Sequence, residues 1–393
     1  MSKYYDVAVI GAGVIGAATA YYNAKRGAKV VLIDAGDMAQ GTSSKCDGNL
    51  YCTGSMPGYS ASLKHLSQIM TAELSRELEF DFEWGQRGSM AVAESEFEWE
   101  LLQKQYREFK KAGIPVSLLD AKELQDEEPG LAKDLFGAVL THTSGCVNPM
   151  AYTFALCLGM EKLGGKLMLH SRVTSIDVME GEQGFVVHTE NGDVSAVNVV
   201  DCAGVWANDI SEMVGIHLPI LPRHGLILVS EQCQKPAKRK IWECGYMAAQ
   251  FSGSQELKRT TTPEMEKYGV AFVYEPTGNN NFLLGSSRMF AGFDERCKIE
   301  IMQLIAQRAI RFLPGIRDTC IIRSYAGVRP FVADHRPIVS ATDVPGFFVA
   351  AGHEGDGICL SAVTGYMMAQ IIRNEPTLMD CEPLSIHRFD QDI

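Results

Sequence analysis

A strand-like run, Asp6-Val-Ala-Val-Ile10, passes straight into Gly11-Ala-Gly13-Val-Ile-Gly16 and then into Ala-Ala-Thr-Ala. This order predicts a buried strand, a glycine turn and the start of a helix. Gly11 suits the tight turn, Gly13 the approach of backbone to a pyrophosphate, and Gly16 the packing of helix on sheet. The helix start, with Val14 and Ile15, offers unpaired N–H groups and a partial positive charge to phosphate. A second apolar strand, Lys29-Val-Val-Leu-Ile33, ends at Asp34, placed to accept hydrogen bonds from a ribose, with Ala35 beside it. The unit specifies a dinucleotide site. It does not say which dinucleotide.

With 393 residues, the chain exceeds what one core ordinarily supports, and two domains are expected. A formal net charge of −12 disfavours nucleic acid and anionic membrane as partners. The longest apolar stretch, residues 358–372, is interrupted by Ser361, Thr364, Tyr366 and Gln370, so no membrane span is expected. The sequence opens on the nucleotide strand rather than a signal peptide, which points to a cytoplasmic enzyme. Eleven cysteines are scattered without a C-x-x-C, so neither a metal site nor an iron–sulfur centre of the chain's own is expected. Cys157, Cys202 and Cys359 read as small core residues, and Cys46 and Cys52 as buried thiols near a ligand loop.

That loop is Gly41-Thr42-Ser43-Ser44-Lys45-Cys46-Asp47-Gly48-Asn49, whose glycines and hydroxyls let backbone amides reach a phosphate or a flat ring. Helices are expected over 60–82, 97–112, 120–124, 150–163 and 299–312, with a terminal helix after 357. Strands are expected over 137–141, 166–169, 173–178 (beginning at Val173), 185–189, 226–229, 271–274, 282–284 and 347–351. The run 197–201 leads through Ala203 to Gly204 and Trp206, a second strand-to-helix turn, so residues after about 145 rejoin the nucleotide sheet. The acidic run Asp126-Glu127-Glu128 reads as solvated surface. The basic run 234–240 reads as a solvated loop or a contact with a partner chain.

Three separated pieces, 11–49, 202–206 and 352–358, thus point at one ligand. The pattern resembles the glutathione-reductase-type FAD fold, and within it the D-amino-acid oxidase and glycine oxidase family. It is similar in particular to catalytic β subunits of heteromeric sarcosine, proline, D-hydroxyproline, opine and cyanide-forming glycine dehydrogenases. The resemblance implies an α/β architecture. A discontinuous FAD-binding Rossmann domain (1–88, 145–215 and 335–393) would be interleaved with an α+β substrate domain (89–144 and 216–334) built on an antiparallel sheet.

The motif Tyr325-Ala-Gly327-Val-Arg329-Pro330, followed by Asp334 and Pro337, resembles the family segment whose arginine holds a substrate carboxylate. A guanidinium presents the planar fork such a clamp needs; a structural salt bridge to Asp334 is the competing role. Gly352-His353-Glu354-Gly355-Asp356-Gly357-Ile358 resembles the loop beneath the isoalloxazine ring, with the next helix aimed at the pyrimidine end. His353 is then either a catalytic group or a flavin contact, and the roles of Glu354 and Asp356 stay open. No cysteine lies between Tyr325 and Asp334, so the resemblance implies noncovalent FAD. Lys45 is either an oxygen-activating lysine, as in some relatives, or a solvated loop residue.

The reaction implied is hydride transfer from an amino acid or N-substituted amino acid (a secondary amine such as proline, hydroxyproline, sarcosine or an opine) to flavin N5, giving an imine that hydrolyses. Arg329 is the expected clamp, Tyr325 and His353 are further catalytic candidates, and Met56, Tyr246 and Tyr274 are candidate pocket residues. Electrons would pass to partner subunits of a heteromeric dehydrogenase, where any FMN or iron–sulfur centre would reside. The alternatives are a standalone oxidase making hydrogen peroxide, a non-catalytic flavin-binding assembly subunit, and a nicotinamide-only dehydrogenase.

Overall fold

The computed structural model describes residues 4–51, 54, 58–179, 184–245 and 260–390. Two eight-stranded sheets organise them. In the first, the order is Ile338–Ala341, Phe347–Ala351, Val194–Asp201, Tyr4–Ile10, Val30–Ile33, Lys166–Met168. From Phe347–Ala351 to Lys166–Met168 every pair is parallel. Val173–Val178 and Phe185–Thr189 form a hairpin added antiparallel to Val194–Asp201. The central strands Val30–Ile33 and Phe347–Ala351 are buried along their whole length, which is why they read as unbroken apolar runs. Helices Val14–Lys25, Pro149–Lys162 and Gly357–Ile372 share one apolar cluster on a face of this sheet. Helix Tyr59–Glu77 stops short of the expected 82, because Leu78 turns extended and Asp81 instead accepts a hydrogen bond from Glu83 N.

The second sheet runs Ile321–Phe331, Leu221–Ser230, Phe282–Gly285, Val273–Pro276, Lys240–Glu243, Ser89–Ala93, Gly137–Thr141, Val116–Asp120. The sheet is antiparallel, as expected, except at one pair: Lys240–Glu243 and Ser89–Ala93 are parallel. Side chains alternate across it. Leu226, Leu228, Tyr274 and Leu284 pack with Ile301, Ile305 and Phe312 of helix Ile299–Phe312, while Gly225, Ile227, Val273 and Glu275 face a cleft.

The acidic and basic runs are not simply solvated. Glu128 is buried and accepts from Lys238 N at 2.9 Å, and Arg239 pairs with Glu127 and with Glu128 (3.1 Å). Lys240 then enters the sheet as a buried residue. No described helix is long and apolar enough to cross a membrane.

Candidate active site

A cleft of about 900 Å³ is lined by residues of both sheets. At one end the first glycine turn closes against the second. Gly11 has φ +106°, and a β-carbon there would lie 2.5 Å from the Cys202 carbonyl oxygen; one on Gly16 would lie 1.8 Å from the Gly11 oxygen. Gly13 caps helix Val14–Lys25 without any side-chain cap bond of its own, and Val14 N donates to Ser43 Oγ at 3.0 Å. Asp34 accepts from Ala12 N (2.6 Å) and Gly36 N (2.8 Å), one on each carboxylate oxygen, which leaves each oxygen a lone pair for a ribose hydroxyl. Ile15, Ala35, Val173, Ala203, Gly204 and Trp206 continue the wall.

The loop after Gly41 forms the next section. Gly41, Thr42, Ser43, Lys45 and Asp47 line the cleft, and the Thr42 hydroxyl donates to the Val328 carbonyl at 2.6 Å. Ser44 turns its hydroxyl back to the Gln40 and Gly41 carbonyls. Gly48 N donates to Glu275 at 2.8 Å, and Asn49 pairs with Cys146 in a two-residue strand. Lys45 forms an ion pair with Glu295.

Gly352, His353, Glu354, Gly355, Gly357 and Ile358 line the opposite side. Asp356 pairs with buried Lys64 at 2.8 Å, and helix Gly357–Ile372 starts without a side-chain cap. His353 is buried, with Nε2 3.0 Å from Thr364 Oγ1, and burial pushes its pKa down to about 3. Its ring is therefore neutral at physiological pH. Glu354 is tied to Arg223 (2.5 Å) and His335 (2.9 Å). One cleft thus joins two uncapped helix starts to a glycine cradle that side chains would fill, and FAD fits it: amides for the pyrophosphate, Asp34 for ribose, the 352–357 loop for a flat ring.

Arg329 faces this cleft from strand Ile321–Phe331. Its Nη1 donates to the carbonyls of Ser287 (3.1 Å) and His224 (3.5 Å), and no carboxylate among the described residues pairs with it. Asp334, the competing partner, is taken by Arg388 at 2.7 Å. Tyr325 lies two residues before Gly327 on the same strand face, and its hydroxyl donates to the Cys46 carbonyl (3.3 Å) beneath the 41–49 loop. Tyr274 requires a correction. It points away from the cleft into the core against Phe282, with its hydroxyl on the Ala237 carbonyl at 2.9 Å, because strand alternation sends its neighbours Val273 and Glu275 inward instead. Met56 and Tyr246 lie outside the described residues.

Several cleft residues were not anticipated: Lys240, Trp242, Ile227, Glu275 and Ser286. The Ser286 hydroxyl is buried and has no partner among the described residues. The sequence placed Lys240 at the end of a basic loop and closed the strand 271–274 before Glu275, so neither residue was expected to face a cleft.

A family model described as FAD dependent oxidoreductase (DAO) matches residues 6–371. The chain belongs to this family. It is an FAD-dependent oxidoreductase, and its interleaved Rossmann architecture is that of the family's solved members. It is 29% identical over 399 residues to glycine oxidase from Geobacillus kaustophilus (strain HTA426), covering 99% of this chain and 98% of that one. The crystal structure of glycine oxidase from Geobacillus kaustophilus superposes with a TM-score of 0.87 at 27% identity, over 98% and 99% of the two chains. Hydrogen cyanide synthase subunit HcnC of Pseudomonas aeruginosa PAO1 is 25% identical over 444 residues, covering 100% and 98%. L-proline dehydrogenase from P. horikoshii shares the fold, with a TM-score of 0.88 at 20% identity over 100% and 99% of the chains.

Proposed function

We propose that this oxidoreductase oxidises the C–N bond of an amino acid or N-substituted amino acid whose carboxylate is held by Arg329. The observation that carries this reading is a guanidinium facing the cleft, positioned by two carbonyls and paired with no carboxylate among the described residues. A charged fork left so is suited to a bidentate anion from outside. The relative named glycine oxidase supports the same substrate class.

FAD, when bound, would supply the acceptor for one hydride, which carries both electrons of the oxidation. The protein's own residues orient the substrate. Arg329 fixes the carboxylate, the buried Ser286 hydroxyl offers a second polar contact, and Ile227 and Val273 give an apolar floor that excludes water. The neutral ring of His353, held on Thr364, adds no positive charge to the cleft, and hydride loss requires the substrate nitrogen in its free-amine form. Loss of the C–H hydride leaves an iminium, which releases its N–H proton to solvent to give the imine; water hydrolyses this to a carbonyl compound and ammonia or an amine.

We further infer a dehydrogenase working with partner subunits, in keeping with the relative named as a synthase subunit. Turnover of the isolated chain with a dye acceptor, and little peroxide in air, supports this. Rapid peroxide formation without dye supports the standalone oxidase that the glycine oxidase relative favours. Arg329→Met tests the clamp itself: KM for carboxylate substrates should rise steeply with FAD retained, and unchanged kinetics would remove the assignment.

A further inference from the structure

The cleft face of the second sheet carries three kinds of chemistry in order. At one end the Arg329 guanidinium lies over Gly225. In the middle, Ile227, Gly285 and Val273 stand opposite one another on three adjacent strands and all face the cleft. At the far end Glu275 and Lys240 are adjacent across neighbouring strands, joined by Asp47 from the 41–49 loop. Lys240 Nζ lies 2.6 Å from Asp47 and 3.2 Å from Glu275. One ammonium thus serves two carboxylates, and burial pushes the Glu275 carboxyl above the usual carboxylate range, so Asp47 is the carboxylate of the cluster left open to a further cation. Glu275 also accepts from Gly48 N, whereas Asp47 Oδ1 makes no hydrogen bond among the described residues and its side chain is 30% exposed toward the cleft.

Gly225 and Glu275 are separated by two strand steps and about four residues along the strands. A spacing of ~4.8 Å between strands and a rise of ~3.4 Å per residue put the two ends roughly 16 Å apart at the backbone. The long side chains of Lys240 and Glu275 shorten that span. A molecule the size of glycine cannot touch both ends; an amino acid with an extended arm can.

We infer that the Asp47–Lys240–Glu275 cluster is a distal subsite for the cationic end, ammonium or guanidinium, of a substrate whose aliphatic arm lies along Ile227, Gly285 and Val273. The inference rests on the Arg329 reading above. The anion site, the apolar bar and the acid cluster match, in order, the carboxylate, the methylenes and the terminal cation of such a substrate. A hydroxyl or methyl terminus brings no positive charge to the open Asp47 Oδ1.

The test compares lysine and arginine with norleucine and alanine, in both enantiomers, using the FAD-loaded enzyme with a dye acceptor. The expected result is a kcat/KM for lysine or arginine at least tenfold above that for norleucine. In Glu275→Gln that preference should shrink at least tenfold through KM, with kcat nearly kept. Equal kcat/KM for lysine, arginine and norleucine in the unmodified enzyme overturns the distal subsite while leaving the Arg329 reading intact. So does a parallel loss for all substrates in Glu275→Gln, the behaviour of a cluster that only staples the loop to the sheet. Turnover of no amino acid at all overturns both. The comparison in the unmodified enzyme needs no variant to fold.

Discussion

The guanidinium of Arg329 lies flat against Gly225, so closely that a β-carbon on Gly225 would come within 2.3 Å of Nη1 and 2.4 Å of the central carbon. Gly225 stands opposite Gly327 on the paired strand, and Gly327 in turn leaves room for Lys45, whose β-carbon would be 2.7 Å from a side chain there. Bare backbone at these two positions lets a long cation fold down over the sheet and lets the 41–49 loop close beside it.

Gly225→Ala should therefore displace the guanidinium without touching the nucleotide end. Loss of a charge-assisted bidentate contact is worth about 1.5–3 kcal/mol, so KM for carboxylate substrates should rise roughly 10- to 100-fold. Steady-state kinetics together with the flavin absorbance of the purified variant check this. Loss of bound flavin instead would mean that Gly225 supports the cofactor rather than the clamp.

Gly16→Ala places a carbon 1.8 Å from the Gly11 oxygen, so helix and turn cannot both keep their positions. FAD affinity should fall by roughly 100-fold or more, about 2.7 kcal/mol. Titration of the apoprotein with FAD measures it, and retention of stoichiometric flavin at micromolar protein contradicts it.

The glycine turn was legible in the sequence because its demands are local: a positive φ, a close carbonyl and a helix start can all be read from spacing. That Arg329 faces the cleft was legible only through the resemblance of the Gly327-Val-Arg329-Pro330 motif to a family segment, and its clamp role is the proposal made above. Lys240, Glu275 and Tyr274 were not, because their roles depend on which parity of a strand faces the cleft, and that is set by the distant helix Ile299–Phe312 covering the other side. Tyr274 was chosen by residue type and fell on the wrong parity. Lys240 was hidden in a basic run in which Lys238 and Arg239 bind Glu127 and Glu128.

The Arg223–Glu354 pair joins strand Leu221–Ser230 to the 352–357 loop at 2.5 Å, with both side chains 10% exposed and the guanidinium 4.5 Å over the Phe331 ring. Glu354→Gln leaves a largely buried cation without its carboxylate, a change that costs about 3 kcal/mol. The melting temperature should drop by several degrees and FAD should dissociate more readily. An unchanged melting curve would show that the pair is dispensable.

Asp201, fully buried beside the second strand-to-helix turn, accepts from Ala203 N (3.0 Å) and Ser211 Oγ (2.7 Å), and burial raises its pKa from 3.8 to about 7. Between about pH 4 and 7 the folded protein holds a proton there that the unfolded chain has released. Its contribution therefore favours folding at the acidic end of this window, fades as pH rises through it, and is a constant penalty above pH 7. Asp201→Asn should flatten this part of the stability profile and exceed the unmodified protein in stability above pH 7. Melting curves from pH 4.5 to 8 decide it; parallel profiles for the two proteins would contradict the assignment.

Anaerobic mixing of the FAD-loaded enzyme with an amino acid, and with the matching amine that lacks the carboxylate, tests the carboxylate clamp and the C–N chemistry together. The flavin absorbance near ~450 nm, characteristic of the oxidised cofactor class, should bleach rapidly with the amino acid, slowly or not at all with the amine, and slowly with both in Arg329→Met. Equal bleaching by the amine and the amino acid, or bleaching by neither, would contradict the assignment of Arg329 as the carboxylate clamp of an amino-acid-oxidising flavoenzyme.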